Sequence, residues 1–148
     1  PFEAEWEKAA RGGCEVVNPP DCGPEDDMIF PWGNEEFDCT RANSYDSMRG
    51  CGFMHPTTVG SYPLGSSPYG ILDMAGNVAE RTADYYVTDY YITGDPSWID
   101  PHGPASGDMH SVRGSGWYSL DCDLRVSLRY GYDEPDGHYG LRCADDPR

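Results

Sequence analysis

The sequence has few cations and no long apolar stretch. Lysine occurs once, at Lys8, and Lys and Arg together number 10 against 26 Asp and Glu, which gives a formal net charge of -16. Proteins that bind a phosphate backbone need clustered cations to displace counterions, so no nucleic-acid partner is expected. Nothing approaches the roughly 20 consecutive apolar residues that cross a bilayer, so no membrane insertion is expected either. The acidic balance favours cations as partners, above all calcium, which takes oxygen ligands.

Closely spaced metal-binding or redox pairs are also missing. None of the six cysteines forms a Cys-x-x-Cys pair, and the four histidines are scattered, so a zinc ribbon, a thioredoxin-like site or a histidine metal site has little support. An even number of cysteines in a small acidic chain instead predicts structural disulfides. We therefore expect an extracellular or periplasmic protein.

The 148 residues are the usual size of one domain, and we interpret residues 1–148 as a single unit. Residues Glu3 to Arg11 carry the one clear helical pattern, with Ala4, Trp6, Ala9 and Ala10 near one face and Gly12-Gly13 as a stop. From there to Tyr69 the frequent Pro, Gly, Asn and Asp indicate turns rather than regular elements.

The second half contains short candidate strands of a small antiparallel sheet. They are rich in β-branched and aromatic residues or alternate apolar with polar positions. They are Tyr85–Val87, Tyr90–Ile92, Ser111–Arg113, the alternating stretch Leu124–Tyr130 and Gly140–Ala144. Together with the helix, they predict one irregular α+β domain dominated by loops.

Several ordered blocks give the chain a resemblance to a known family. Among them are Glu3–Gly13, Pro31–Asn34, Val59–Pro63, Pro68–Glu80, Asp100–Gly107, Val112–Trp117 and Gly140–Ala144. The series resembles the formylglycine-generating enzyme family, also called sulfatase-modifying factor domains, over essentially the whole chain. The resemblance implies a loop-rich C-type-lectin-like fold with few short helices. Family domains usually have a further N-terminal part, so the partner could be a missing N-terminal half supplied elsewhere.

The resemblance also implies a calcium site in the block that ends at Glu80. Its ligands would be the side chains of Asp73 and Glu80 with the backbone oxygens of Gly76 and Val78. Two carboxylates seven residues apart around a glycine suit a hard cation. The alternative is a solvated turn whose acids bind nothing, because short motifs often match by chance.

A second family calcium site would lie around Asn43-Ser44 and Cys51. The family supplies an aspartate where this chain has Cys51, and this exchange replaces a hard anionic ligand with a soft sulfur. We therefore expect the second site to hold no calcium. We expect a disulfide between Cys39 and Cys51 to restrain the loop instead.

Catalytic members of the family use two cysteines, five residues apart, to hold copper(I) for oxidation of a substrate cysteine. In this chain Ser119 stands where the first thiol belongs, and Cys122 is the one cysteine of the stretch. A serine hydroxyl is a poor ligand for soft copper(I), so copper is not expected and no catalytic residue is assigned.

Tyr, Asp, Gly and Ser are concentrated between Trp117 and Tyr139, a composition typical of binding loops. The candidate ligand-binding residues are Trp117, Tyr118, Ser119, Cys122, Arg129, Tyr130, Tyr132 and His138. The segment also resembles the variable region of diversity-generating-retroelement proteins. Two alternatives stay open: the loops could simply keep the chain soluble, and Arg129 could either line a groove, as in catalytic relatives, or pair with local acids.

The sequence therefore predicts a calcium-stabilised, extracytoplasmic member of the resembled family. Its role would be binding of a protein or peptide, or assembly with copies of itself, rather than catalysis. The alternative is a copper-dependent oxidase that converts a substrate cysteine to formylglycine.

Overall fold

The computed structural model describes residues 1–17, 28–45, 51–92, 99–134 and 137–145, with the backbone alone described for Asp121 and Cys122. Within these ranges, regular elements are short and loops predominate. The predicted α+β, loop-rich fold class is confirmed.

Helix α1 spans Glu3–Arg11, as the sequence predicts. It ends because Gly12 has a φ of 85°, a value that glycine adopts without strain. The Glu5 carboxylate accepts a hydrogen bond from the Phe2 N–H at 2.7 Å, which satisfies one free donor at the start. The buried face contains Trp6 and Ala10 together with a charged residue, Glu3. A four-residue helix α2, Cys14–Val17, follows.

Four strands form one sheet in the order β3-β2-β1-β4. They are β1 (Ala79–Tyr85), β2 (His110–Arg113), β3 (Tyr130–Tyr132) and β4 (Tyr139–Gly140). Strand β2 runs antiparallel to both neighbours, whereas β4 pairs with β1 in parallel. The expected antiparallel sheet is therefore confirmed for three strands, and the fourth makes it a mixed sheet.

The strand predictions succeed where a segment pairs in the sheet and fail where it does not. Ser111–Arg113 lies in β2, as predicted. Tyr90–Ile92 belongs to a turn instead, with the Ile92 N–H donating to the Asp89 carbonyl at 3.0 Å. In the stretch Leu124–Tyr130, only Tyr130 lies in a strand. Its alternation still marks the inward side, because Leu124 and Val126 are both 1 % exposed.

Strand β1 escapes prediction because its inward positions are polar. Glu80, Thr82 and Asp84 are buried at alternate positions. A period-2 apolar pattern is the usual signal of a half-buried strand, and β1 lacks it.

Two small hydrophobic clusters form the core. One contains Phe37, Ala42, Cys51, Ala75 and Leu124. The other contains Trp6, Ala10, Met74 and Val126, and it joins α1 to the loops on either side of the sheet. The consecutive residues Met74 and Ala75 enter different clusters, so the loop before β1 connects them. No helix in the described part of the chain has the length and apolar character needed to span a membrane.

Candidate functional site

The residues predicted to bind calcium lie in a tight loop that leads into β1. Asp73, Gly76 and Asn77 all have positive φ values, of 57°, 76° and 65°. The Gly76 N–H donates to the Gly114 carbonyl, and the Asn77 N–H donates to the Asn43 carbonyl, both at 2.8 Å. A Cβ atom at position 76 would lie 2.6 Å from the Asn43 oxygen, so only glycine fits there. The loop is therefore held on both sides by the protein backbone.

Glu80 is buried, and its carboxylate already has strong partners. Trp6 Nε1 donates to it at 2.6 Å, and Arg142 donates through Nε at 3.0 Å and Nη2 at 2.7 Å. Arg142 Nη2 also donates to the carbonyls of Leu72 and Asp73, at 2.9 and 3.3 Å. The guanidinium group thus links the two carboxylate-bearing residues of the predicted site.

Arg142 occupies part of the predicted calcium site, so calcium binding there requires competition with this residue. Both Glu80 oxygens accept hydrogen bonds from Arg142, and Asp73 Oδ2 accepts one from the Gly60 N–H at 2.6 Å. A calcium ion at the Glu80 carboxylate would have to displace a guanidinium of the same charge sign. Among the described residues, no three His, Cys, Asp or Glu side chains gather as a metal site. The site proposed from sequence uses two carboxylates and the carbonyls of Gly76 and Val78, so it stays a prediction.

At the second predicted calcium position, the expected disulfide is present. Cys39 and Cys51 are bonded, with their Cα atoms 5.3 Å apart. The neighbouring Asn43 is buried, and its side-chain amide donates to the His55 carbonyl at 3.0 Å. Asn77 Oδ1 accepts a hydrogen bond from the Thr57 N–H at 2.9 Å. Protein groups therefore connect this loop to the one before β1.

The tyrosine-rich segment forms a pocket beside the sheet. Its volume is about 300 Å³. It is lined by Ser115, Tyr118, Ser119, Asp123, Leu128, Tyr130 and Tyr139. Tyr130 opens β3 and Tyr139 opens β4, so the two sheet edges supply two of its aromatic walls. We call this set of seven residues the tyrosine pocket.

Burial and neighbouring phenols determine the acid–base state of the pocket. Burial, followed by interactions with the Tyr118 and Tyr139 hydroxyls, raises the pKa of Tyr130 well above the usual tyrosine range. The Tyr130 phenol therefore stays neutral at physiological pH. Asp123 supplies the one formal charge among the described residues of the lining.

Three of the predicted ligand residues surround the tyrosine pocket. Trp117 contacts Tyr118 edge-on, with ring centroids 5.5 Å apart, and His138 lies 4.9 Å from Tyr118 and 5.4 Å from Trp117. Tyr132 stacks on Tyr139 at 4.3 Å. The structure therefore brings together six of the eight predicted residues: Trp117, Tyr118, Ser119, Tyr130, Tyr132 and His138.

Ser119, which the resemblance predicts to lie where catalytic relatives have the first copper thiol, is part of the scaffold. It is 8 % exposed, and its Oγ accepts a hydrogen bond from the Gly116 N–H at 3.1 Å. Its carbonyl accepts from Ser44 Oγ at 2.6 Å and from the Tyr45 N–H at 3.0 Å. The backbone of Cys122 lies in the 3-10 helix Asp121–Leu124, and its side chain is outside the described part of the structure.

Arg129 does not line the tyrosine pocket. Its guanidinium binds the Glu3 carboxylate through Nε at 2.7 Å and Nη2 at 2.8 Å, and Nη1 donates to the carbonyls of Val87 and Thr88. It also lies over the Tyr86 ring, 4.8 Å from the centroid. Arg129 therefore pairs with an acid, as one alternative held, but that acid is distant in sequence.

Sequence reasoning missed four residues of these sites as functional positions: Glu3, Asp123, Tyr139 and Arg142. Tyr139 and Arg142 carried a usable signal, because they lie in the tyrosine-rich segment and in the Gly-Leu-Arg-Cys block. Glu3 and Asp123 also lie in named segments, Glu3–Gly13 and Trp117–Tyr139, but each is one acid among 26, so nothing singled it out.

A family model described as a sulfatase-modifying factor enzyme 1-like domain (FGE-sulfatase) matches residues 1–147. The chain belongs to this family. The resemblance found in the sequence is thereby confirmed, and with it the membership in the formylglycine-generating enzyme group.

The curated relatives have different names and are longer than this chain. The chain is 39 % identical over 146 residues to a "Serine/threonine-protein kinase pkn1" of Chlamydia pneumoniae, covering 97 % of this chain and 20 % of the relative. It is 35 % identical to a formylglycine-generating enzyme of Thermomonospora curvata, covering 99 % and 49 %. It is 31 % identical to the "Inactive C-alpha-formylglycine-generating enzyme 2" of Mus musculus, covering 97 % and 42 %. The chain thus spans at most about half the length of these relatives.

The fold is shared with a solved structure, that of Treponema denticola variable protein 1. The TM-score is 0.70 at 26 % sequence identity, over 95 % of this chain and 45 % of that protein. This similarity supports the fold. It is also compatible with a fold that occurs in proteins whose names do not include the word enzyme.

Proposed function

We propose that this chain is a ligand-binding member of the formylglycine-generating enzyme family that does not oxidise cysteine. One observation supports this most directly. Ser119, at the position of the first copper thiol, is a buried wall residue of the tyrosine pocket. Its hydroxyl and carbonyl both bond to the backbone or to scaffold side chains, which leaves the ligand surface to aromatic residues.

The relatives' names support both sides of this choice. One relative is called an inactive formylglycine-generating enzyme, so the family includes members named as non-catalytic. Another is named for the oxidation itself, which favours the alternative of a copper-dependent oxidase. The chemistry at Ser119 favours binding, because a single thiolate and a hydroxyl do not make a two-sulfur copper(I) site.

An oxidase assay tests the negative half of the proposal. The protein, loaded with copper(I), is incubated with oxygen and a cysteine peptide, and the peptide is analysed by mass spectrometry for the aldehyde product. The enzyme from Thermomonospora curvata serves as the positive control. We expect unchanged peptide, and aldehyde formation at the rate of the control would establish the oxidase instead.

A binding screen tests the positive half. Peptide and small-molecule libraries are screened against the wild-type chain and against Tyr118→Leu, which removes one aromatic wall of the tyrosine pocket. We expect binders whose affinity falls in the variant. If every binder is retained equally by Tyr118→Leu, the tyrosine pocket is not the binding site.

We also propose an extracytoplasmic location. The Cys39–Cys51 disulfide supports it, and Cys14 is disulfide-bonded as well. Disulfides persist in oxidising compartments and are rare in the cytosol. Alkylation of the native protein from its own host, followed by peptide mapping, tests the location, because a cytosolic protein would yield alkylated Cys39 and Cys51.

We propose calcium stabilisation by Asp73, Gly76, Val78 and Glu80, in which the ion competes with Arg142 for the Glu80 carboxylate. If calcium binds there, Arg142→Gln removes the competing cation and should strengthen calcium binding, whereas Glu80→Gln should abolish it. Calorimetric titration with calcium measures both variants. A wild-type melting temperature that is the same in calcium and in chelator, with no binding to Arg142→Gln, would show that the loop does not use the ion.

Assembly is a second candidate role, and exposed apolar side chains favour it. Phe53, Met54, Val59 and Leu64 lie in one part of the chain and are 59 %, 62 %, 78 % and 62 % exposed. Clustered exposed apolar surface often marks a protein interface. Size-exclusion chromatography with light scattering over a range of concentrations tests this role, and a stable monomer counts against self-assembly.

A further inference from the structure

The tyrosine pocket carries charge of one sign only. Within its described lining, Asp123 is the one residue that carries a formal charge, and no Lys, Arg or His contributes. The whole chain adds a net charge of -16, so the potential around the pocket attracts cations. An anionic ligand would meet no cationic side chain in the described lining. The charge therefore selects a neutral or cationic ligand.

The serine hydroxyls of the lining are already engaged. Ser115 Oγ donates to the Asp123 carbonyl at 2.7 Å, and Ser119 Oγ accepts from the Gly116 N–H at 3.1 Å. Ligands recognised through many hydroxyl groups, such as sugars, need several free donors and acceptors in a site. The two serines offer little of this, so recognition of a polyol would depend on the tyrosine hydroxyls and Asp123.

The aromatic content points to a different chemistry. Three tyrosine side chains line a pocket of about 300 Å³, close to the lower end of ligand pockets, roughly 300 to 1,000 Å³. A cation over an aromatic face is attracted by the ring quadrupole, and such sites recognise quaternary ammonium groups. The neutral Tyr130 phenol keeps its ring in the wall without adding a second charge.

We infer that the tyrosine pocket binds an alkylammonium group, held by the rings of Tyr118, Tyr130 and Tyr139 and by the charge of Asp123. This inference rests on the proposed ligand-binding function, because it names the chemical class of that ligand. The group fits the pocket's size, its single negative charge and its aromatic walls together.

The test compares two probes of the same shape. Choline is titrated into the wild-type chain by calorimetry, beside its uncharged carbon isostere, in which a tert-butyl group replaces the trimethylammonium group. We expect choline to bind about tenfold more tightly, which lies between the values for an exposed and a desolvated cation–π contact. Saturation-transfer spectra should show the methyl groups of choline in contact with aromatic protons.

Paired variants separate the pocket from the general acidity of the chain. Asp123→Asn and Asp108→Asn remove the same charge, and Asp108 is an exposed residue outside the pocket lining. The amide oxygen introduced by Asp123→Asn can still accept the hydrogen bond that Asp123 Oδ2 takes from the Leu120 N–H at 3.4 Å. We expect Asp123→Asn alone to weaken choline binding, by about twofold to fivefold, as for a partly exposed ion pair.

A second pair separates the ring from its hydroxyl. Tyr118→Leu should lose choline binding, whereas Tyr118→Phe should keep it, because the aromatic face remains. Both variants should keep the wild-type circular dichroism spectrum. A difference in choline binding between them then reflects the loss of the ring and not a general loss of structure.

Three outcomes would overturn the inference: equal binding of choline and its isostere, equal effects of the two Asp→Asn variants, or no choline binding at all. None of them touches the proposed function by itself. If the library screen still finds binders that depend on Tyr118, ligand binding stands and only the ligand class is wrong. If that screen finds none, the proposed function fails as well.

Discussion

The most informative stability test removes the charge of Glu3. This carboxylate is 1 % exposed and accepts hydrogen bonds from Ser111 Oγ at 2.7 Å, Arg113 Nη1 at 2.8 Å and two Arg129 nitrogens at 2.7 and 2.8 Å. Burial alone would raise the pKa of Glu3, but the hydrogen bonds from Arg129, Ser111 and Arg113, with the Arg113 charge, lower it below its ordinary value of 4.5. Glu3 is therefore ionised at neutral pH.

Glu3→Gln keeps the side-chain shape but leaves two guanidinium groups beside a neutral amide. Removing one partner of a buried ion pair costs about 3 to 5 kcal/mol. Arg113 keeps a second acid, because its Nη2 still donates to Glu7 at 2.7 Å, so we expect about 3 kcal/mol, at the lower end of that range. For a chain of this size, the loss corresponds to a fall in melting temperature of roughly 10 °C.

The assay is urea unfolding followed by tryptophan fluorescence, because the Trp6 ring lies 5.0 Å from the Arg113 guanidinium and should report the network. Glu134→Gln, at an exposed acid, is the control and should change stability by less than about 0.5 kcal/mol. Because the folded-state pKa of Glu3 is lowered, its stabilisation is present above pH 4.5 and disappears as the pH falls through the folded value. A loss below about 1 kcal/mol, typical of exposed pairs, or a loss independent of pH, would refute this reasoning.

Three further predictions follow from local geometry. Gly65→Ala should destabilise the protein by about 3 kcal/mol, because the new Cβ would clash with the Arg41 carbonyl oxygen. The control Gly137→Ala, which has open space around its new Cβ, should cost under about 1 kcal/mol, and thermal melts compare the two variants. Replacing both Cys39 and Cys51 with Ala should cost about 3 kcal/mol through a less restrained unfolded chain, measured by urea titration of the non-reduced protein. Burial raises the pKa of Asp84 above its ordinary value of 3.8, so ionisation of Asp84 lowers the stability of the wild type as the pH rises. The stability advantage of Asp84→Asn over the wild type should therefore be largest at higher pH, and a constant difference across a pH series of thermal melts would contradict this.

Local signals determined what could be predicted from the sequence. Helix α1 was predicted at its observed bounds because its apolar spacing and the glycine at its end are contained in one short segment. The burial of Leu124 and Val126 followed from their alternation in the same way. That these residues do not form a strand could not be predicted, because strand pairing depends on which segment lies opposite, and no local pattern carries that information.

Long-range polar partners could not be predicted. Glu3 pairs with Arg113 and Arg129, which are 110 and 126 residues away, so its burial has no signal in its own segment. For the same reason, β1 carries no apolar strand pattern before Tyr85: its buried acids bind groups from distant segments, Glu80 the Arg142 guanidinium and Asp84 the Glu3 N–H. Polar residues on an inward face are stable only with such partners, and composition alone cannot assign them.

The two departures from the family pattern that sequence analysis identified lie next to one another in the structure. The resemblance places Cys51 where the family has a calcium ligand and Ser119 where catalytic members have a copper thiol. A Cβ at Gly52, beside the disulfide, would lie 2.8 Å from the Ser44 carbonyl, so the disulfide-bonded loop packs directly on Ser44. Ser44 Oγ in turn donates to the Ser119 carbonyl at 2.6 Å, in the wall of the tyrosine pocket. The disulfide-bonded loop thus packs, through Ser44, behind the Ser119 wall of the tyrosine pocket, and removing the disulfide should loosen the pocket as well as lower stability.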